Sequence, residues 1–254
     1  MTLDILLRTC NRSENNPTMK RIVTVDRDEL ILRGLRSLIT SINTVPEEMR
    51  SSIKLTIIDD STPEFQKKLF KLASTCLCKK NFIRVHLDNN ASMKYCYEYA
   101  MGHFHDVIYF AEDDYLYFPS CIQEMVEEYE NFTLNLGGNF VAIHPADSPL
   151  EYFPKEIREA RIVLGSHRHW RTSVSSPFSL MLPKKAFVKH YQKFMDYSKF
   201  DGVIYQEAST INHMFVEGVF LFTPIPTLAF HLGYLYPPAP HAQHEELWEE
   251  NASH

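Results

Sequence analysis

Three acids in a row, Glu112-Asp113-Asp114, stand at the end of an apolar run, Val107-Ile108-Tyr109-Phe110-Ala111. Like charges crowded at one strand end repel one another, so a cationic partner is expected among them. Hard divalent ions such as Mg²⁺ and Mn²⁺ take carboxylate oxygens and keep positions open for phosphate. The same acids read equally as a solvated turn that caps a helix beginning near Pro119-Ser120-Cys121-Ile122. Polar groups close three more apolar runs: Thr9-Cys10-Asn11-Arg12, Asp59-Asp60-Ser61 and Asn89-Asn90.

The elements that must carry these groups alternate. Short apolar runs at 3–9, 53–58, 82–87 and 107–111 predict strands, and the near-3.6 spacing of Leu30, Ile31, Leu35, Leu38, Ile39 and Ile42 predicts a helix over 29–43. Pro63 opens a second helix to about Ser74, and a third follows Asn89-Asn90 to about Gly102. Such βα units predict an α/β fold, a doubly wound and mostly parallel sheet whose ligand lies at the carboxyl ends of the strands. Every polar cluster above falls at such an end. Neither G-x-G-x-x-G nor G-x-x-x-x-G-K-[ST] is present, so phosphate would be neutralised by a metal together with Arg12 or Lys94.

Strand-Thr-x-Asn-Arg, strand-Asp-Asp-x-Thr and strand-x-Asp-Asp-x-x-x-x-Pro resemble the GT-A glycosyltransferases, particularly the inverting family-2 type. The resemblance covers residues 3–130 well and 160–235 loosely. It implies a nucleotide-diphosphate-sugar donor, with a UDP-sugar favoured by analogy, and a hydroxyl acceptor such as a glycan. Thr9 and Asp60 would hold the nucleobase, with Asn11, Arg12, Asp59, Asn90, Lys94 and Glu112 completing the donor side. Asp113 would lie toward the ribose, and Asp114 would bind Mn²⁺ or Mg²⁺. His231, after the run 223–230, matches a late-strand histidine that the family places on metal or diphosphate. Glu207 takes the position of the general base, with Asp201 as the alternative.

The second half reads as the acceptor side, with strands near Val141–His144 and Ser176–Leu182. His167-Arg168-His169-Trp170-Arg171 offers an indole face and cationic donors suited to a sugar, which points to His169 and Trp170 as acceptor-binding; a buried tryptophan at a core corner is the other reading. His103-x-His105 and His167-x-His169 have no carboxylate or cysteine nearby in sequence and read as structure. The expected organisation is one domain over 1–236, donor half 1–130 and acceptor half 131–236, then an acidic tail, 237–254. A nucleotidyltransferase, or a non-catalytic nucleotide- or glycan-binding module on the same fold, is the alternative.

The 254 residues, 44% hydrophobic and 13% aromatic, suffice for a full core. A net charge of −6, with no Lys/Arg block longer than two, excludes a general nucleic-acid footprint. Five cysteines form no paired framework, so reduced thiols and a cytoplasmic location are expected. No apolar run is long enough to span a bilayer, although peripheral membrane contact stays open.

Overall fold

The computed structural model describes residues 1–12, 25–103, 105–136, 140–148, 152, 159–175, 178–199, 206–233 and 244–252. The chain begins with β1 (Leu3–Thr9), α1 (Arg27–Thr44), α2 (Glu47–Arg50), β2 (Ile53–Asp59), α3 (Pro63–Ala73), β3 (Lys79–Arg84), α4 (Asn89–His103) and β4 (Val107–Glu112). There follow β5 (Tyr115–Tyr117), α5 (Cys121–Asn135), β6 (Phe140–Ile143), β7 (Ile162–Leu164), β8 (His169–Ser173), β9 (Leu180–Pro183), α6 (Lys184–Lys189) and α7 (Tyr191–Tyr197). The last elements are α8 (Gln206–Ser209), a 3₁₀ helix (Ile211–Val216), β10 (Val219–Ile225), β11 (Ala229–His231) and α9 (His244–Glu250).

Among the described residues, nine strands form one sheet in the order β3-β2-β1-β4-β9-β6-β10-β8-β7. The quartet β3-β2-β1-β4 is parallel, β9 runs against both β4 and β6, and β10 is parallel to β6 but antiparallel to β8. The sheet is therefore mostly parallel in strand direction, with β9 and β8 reversed. Alternation along β1 splits its side chains between two cores. Leu3, Ile5 and Leu7 join the layer under α1, α3 and α5. Leu6 joins the layer under α4, α6 and α7 with Phe110, Tyr97 and Phe178.

The third strand corrects the sequence expectation. It occupies 79–84 rather than 82–87, because its ladder with β2 runs from Lys54↔Lys79 to Asp59↔Arg84. After one more bond, Val85 N–H to Asp59 O, the chain leaves the sheet toward the cleft. Edge position is the reason: exposed lysines are tolerated there, so apolar periodicity does not mark the start. The run 223–230 is also two strands. β10 ends at Ile225 in the large sheet, and β11 pairs with β5 in a separate two-stranded sheet.

That small sheet positions chemistry. β5 follows the acid triplet directly, and the pair His231↔Tyr115 brings the end of β11 back to it. Helix α1 clamps β5 from behind: a Cβ on Gly34 would stand 2.8 Å from Tyr115 O, while Ser37 Oγ accepts the Tyr117 N–H at 3.0 Å. Only glycine permits that approach. The tail helix α9 is docked, with Leu247 and Trp248 buried and the Arg33 guanidinium 4.3 Å from the indole centroid. No helix among the described residues is long and apolar enough to cross a membrane.

Candidate active site

A cleft of about 630 Å³ opens at the carboxyl ends of β1, β2 and β4, lined among others by Arg8, Thr9, Arg12, Arg27, Asp60, His86, Asn89, Glu112, Asp113 and Asp114. It lies where a doubly wound sheet places its ligand.

On the β1–β2 side, the buried Thr9 donates from Oγ1 to Asp59 Oδ1 at 2.7 Å. Asp59 is wholly buried, and burial raises its carboxyl against hydrogen bonds from Ser61, Thr9 and Gln66. It therefore stands behind Thr9 as a support and does not line the cleft. Asp60 does line it, with Arg12 spent on it: Nε donates to Asp60 O at 2.8 Å, an Nη ion-pairs with its carboxylate, and Nη1 meets His86 Nδ1 at 2.8 Å. Asn11 turns toward α3 instead, its Oδ1 accepting the Thr62 N–H at 2.8 Å and its Nδ2 donating to Asp28 at 2.8 Å.

Besides Asp59, three donor-side residues of the sequence expectation do not line the cleft. Lys94 is exposed and sits 3.8 Å from Glu98 on the next turn of α4, away from the cleft lining. Asn89 rather than Asn90 faces the cleft, and the helix starts at Asn89 itself rather than after the polar pair. Asn11, as above, is spent on Thr62 and Asp28.

The acid triplet divides into two functions. Asp113 Oδ2 accepts the Cys10 N–H at 2.9 Å and its other oxygen pairs with Arg27 at the head of α1; burial raises its carboxyl while Arg27 opposes. Asp113 thus ties β1 to α1. Glu112 and Asp114 form a cluster with His231, one ligand atom from each lying within 4.8 Å of the others. His231 Nε2 is 3.2 Å from Asp114 Oδ2. Its ring stacks on Tyr115 at 4.7 Å between centroids. Desolvation, and then the charge of Asp114, push Glu112 up to about 7. Two carboxylates and an imidazole converging at this distance form a donor set that a divalent cation would suit. A Cβ at Gly233 would meet His231 Nε2 at 3.0 Å and Asp114 Oδ2 at 3.2 Å, so glycine keeps the space beside both atoms open.

On the second half, Glu207 lies in the first turn of α8 and accepts a hydrogen bond from the Tyr197 hydroxyl at 3.0 Å. Burial holds that phenol above its ordinary range, with the charges of Glu112 and Glu207 adding to the effect. Asp201 lies outside the described residues. His169 is exposed at the head of β8. Trp170 corrects the acceptor expectation: it is 0% exposed and packs edge-on against Phe132 at 5.9 Å, since alternation along β8 turns it into the core. Its cationic neighbours are committed too, Arg168 to Glu124 at 2.6 Å and Arg171 to Asp147 at 2.7 Å.

Arg8, Arg27, His86, Tyr197 and Gly233 escaped the sequence reading. Arg8 alone left a signal, a cation near the carboxyl end of a mostly apolar strand; the others become visible only through tertiary contact.

No protein-family model matches the chain, and no curated protein sequence matches it. Solved structures do. S. aureus TarS is similar over 88% of this chain and 36% of its own, at 10% identity and a TM-score of 0.50. Its 1–349 portion matches 88% of this chain and 60% of its own at 10% identity and a TM-score of 0.51. The 4-diphosphocytidyl-2C-methyl-D-erythritol synthase of Anaerococcus prevotii gives a TM-score of 0.45 at 8% identity, over 98% of this chain and 94% of that one. The chain spans between 36% and 60% of these TarS structures. Together with the strand order and the cleft at the carboxyl ends, the likeness to TarS gives this chain a GT-A-like fold.

Proposed function

We propose that the chain is a metal-dependent, inverting glycosyltransferase that moves a sugar from a nucleotide diphosphate to a hydroxyl acceptor, a glycan in the simplest case. The observation that carries this reading is the meeting of Glu112, Asp114 and His231 beside a cleft whose other wall holds Thr9 and Asp60. Two carboxylates with one imidazole suit Mn²⁺ better than the all-oxygen preference of Mg²⁺. A divalent ion held there would neutralise the leaving diphosphate.

The protein's own groups supply the rest. Asp60, held by Arg12, and Thr9, held by Asp59, present fixed polar atoms to the nucleobase. Asp113 stands toward the ribose, its carboxylate fixed by the Cys10 N–H. Glu207 receives the acceptor's proton on the oxygen that Tyr197 leaves open, while the opposite face of the sugar parts from its diphosphate. One base and one displacement give inversion. The five cysteines, none of them in a disulfide, fit action in a reducing compartment such as the cytoplasm.

The test is a panel of nucleotide sugars scored by thermal shift with Mn²⁺ and again with chelator. Metal-dependent stabilisation by nucleotide sugars supports the reading. Stabilisation by nucleoside triphosphates in place of nucleotide sugars would move the chain to nucleotidyl transfer, and stabilisation without turnover to a binding module.

A further inference from the structure

Arg8 is the cleft cation whose hydrogen bonds are incomplete. It stands opposite Glu112 in the β1–β4 ladder. Nη1 is engaged by Asn89 Oδ1 at 2.7 Å, Asn89 O at 3.3 Å and Ser92 Oγ at 3.2 Å. Nη2 has Glu112 Oε1 at 3.9 Å, an ion-pair distance beyond hydrogen-bond reach. Nε is buried with no partner. Below, the guanidinium rests 5.5 Å from the centroid of Phe178, which leaves its donor edge toward the cleft. Buried polar groups are almost always bonded, so an arginine in this condition is one whose complement is missing.

The other cations of the site are committed. Arg12 is held by Asp60, Arg27 by Asp113, and Lys94 sits outside on α4. Arg8 and a divalent ion at Glu112 would share one carboxylate, three positive charges against one negative, so a further anion beside both is favoured. A diphosphate does this, since its oxygens take an ion on one side and the planar guanidinium fork on the other.

We propose that Arg8 is the phosphate-binding side chain of this cleft, with Nη2 directed at the diphosphate of the nucleotide and Nη1 kept on Asn89 and Ser92 as its anchor. This rests on the nucleotide-binding reading of the cleft, but its own ligand chemistry is the phosphoanhydride alone.

The experiment is titration calorimetry on the full chain in Mn²⁺ with three probes, inorganic pyrophosphate, UDP and uridine, for the parent, Arg8→Gln and Arg8→Lys. Arg8→Gln is expected to lose on the order of 10-fold to 100-fold in affinity for pyrophosphate and UDP and nothing for uridine. Arg8→Lys, which keeps the charge without the fork, should fall between and confirms the charge if Arg8→Gln melts early. Parent binding of pyrophosphate without uridine or UDP binding would leave Arg8 in its role while the nucleotide reading falls. Equal pyrophosphate affinity in parent, Arg8→Gln and Arg8→Lys overturns the proposal. So does parent protein that takes up no pyrophosphate, or an equal loss for uridine and UDP.

Discussion

Asp114 and His231, 117 positions apart in sequence, meet with 3.2 Å between Oδ2 and Nε2. The two-stranded pairing of β5 with β11 makes the meeting, and the Leu232 N–H donated to Asp114 O at 2.8 Å locks it. Asp114→Asn removes one of two carboxylates from the cluster. It is expected to weaken Mn²⁺-dependent binding of a nucleoside diphosphate by about 10-fold to 100-fold, with the melting temperature little changed. Calorimetry in Mn²⁺ reads this, and an unchanged affinity would remove Asp114 from the metal site.

Gly233→Ala tests the same centre without replacing a ligand. The added methyl would lie 3.0 Å from His231 Nε2 and 3.2 Å from Asp114 Oδ2, in the space an ion needs. Metal-dependent binding should fall on the order of 10-fold while metal-independent nucleoside binding holds. Equal loss of both would mean that the substitution disturbs the cleft as a whole.

Asp60 organises Arg12 and His86 and lines the cleft wall. Contacts to a nucleobase hold ground and transition states alike, so Asp60→Ala should raise the donor KM more than it lowers kcat. Steady-state kinetics distinguish the outcomes: a fall in kcat at normal donor affinity would place Asp60 in the chemistry instead.

Much of this was legible in the chain. The run Val107–Ala111 followed by three acids gave both a central strand and its ligand end, and the periodicity from Leu30 to Ile42 gave α1 within a few residues. What failed has common causes. Trp170 sits in an amphipathic cluster, and sequence does not say which face of β8 is covered; Phe132 and the close approach of Gly165 decide it. Lys94 and Asn11 are polar residues near the right strand ends, yet helix phase directs one to solvent and an Asx contact turns the other to Thr62. Arg27 and Tyr197 act through partners far along the chain, Asp113 and Glu207, which no local pattern encodes.

Trp170→Ala turns that correction into a measurement. A fully buried indole leaves a large cavity, expected to cost about 3–5 kcal/mol of stability by chemical denaturation. Acceptor KM in the folded fraction should be unchanged. A stable variant with a raised acceptor KM would restore tryptophan to the acceptor site.

His144 sets a pH dependence of stability. Burial, reinforced by the charge of His231, lowers it from 6.5 to about 4, although its Nδ1–H donates to Ser179 O at 2.5 Å. Below pH 6.5 the unfolded chain takes up a proton that the folded one refuses. Stability from this group is therefore whole above that pH and falls by about 1.4 kcal/mol per unit on the way down to pH 4. Denaturation curves at pH 7 and pH 5 should show a shallower decline in His144→Gln than in the parent. Identical slopes would contradict a neutral buried imidazole.

The central claim, sugar transfer at the Glu112–Asp114–His231 cleft with Glu207 as base, is tested most directly by following nucleoside diphosphate release from a stabilising nucleotide sugar. Parent and Glu207→Gln are compared in Mn²⁺ with an acceptor, and the product's anomeric configuration is read by NMR after metal removal. The account predicts release that stops with chelator, product of inverted configuration, and a loss of roughly 10²–10⁴ in Glu207→Gln with donor affinity intact. Retained configuration, full activity in Glu207→Gln, or pyrophosphate released from a nucleoside triphosphate in place of nucleoside diphosphate would contradict it.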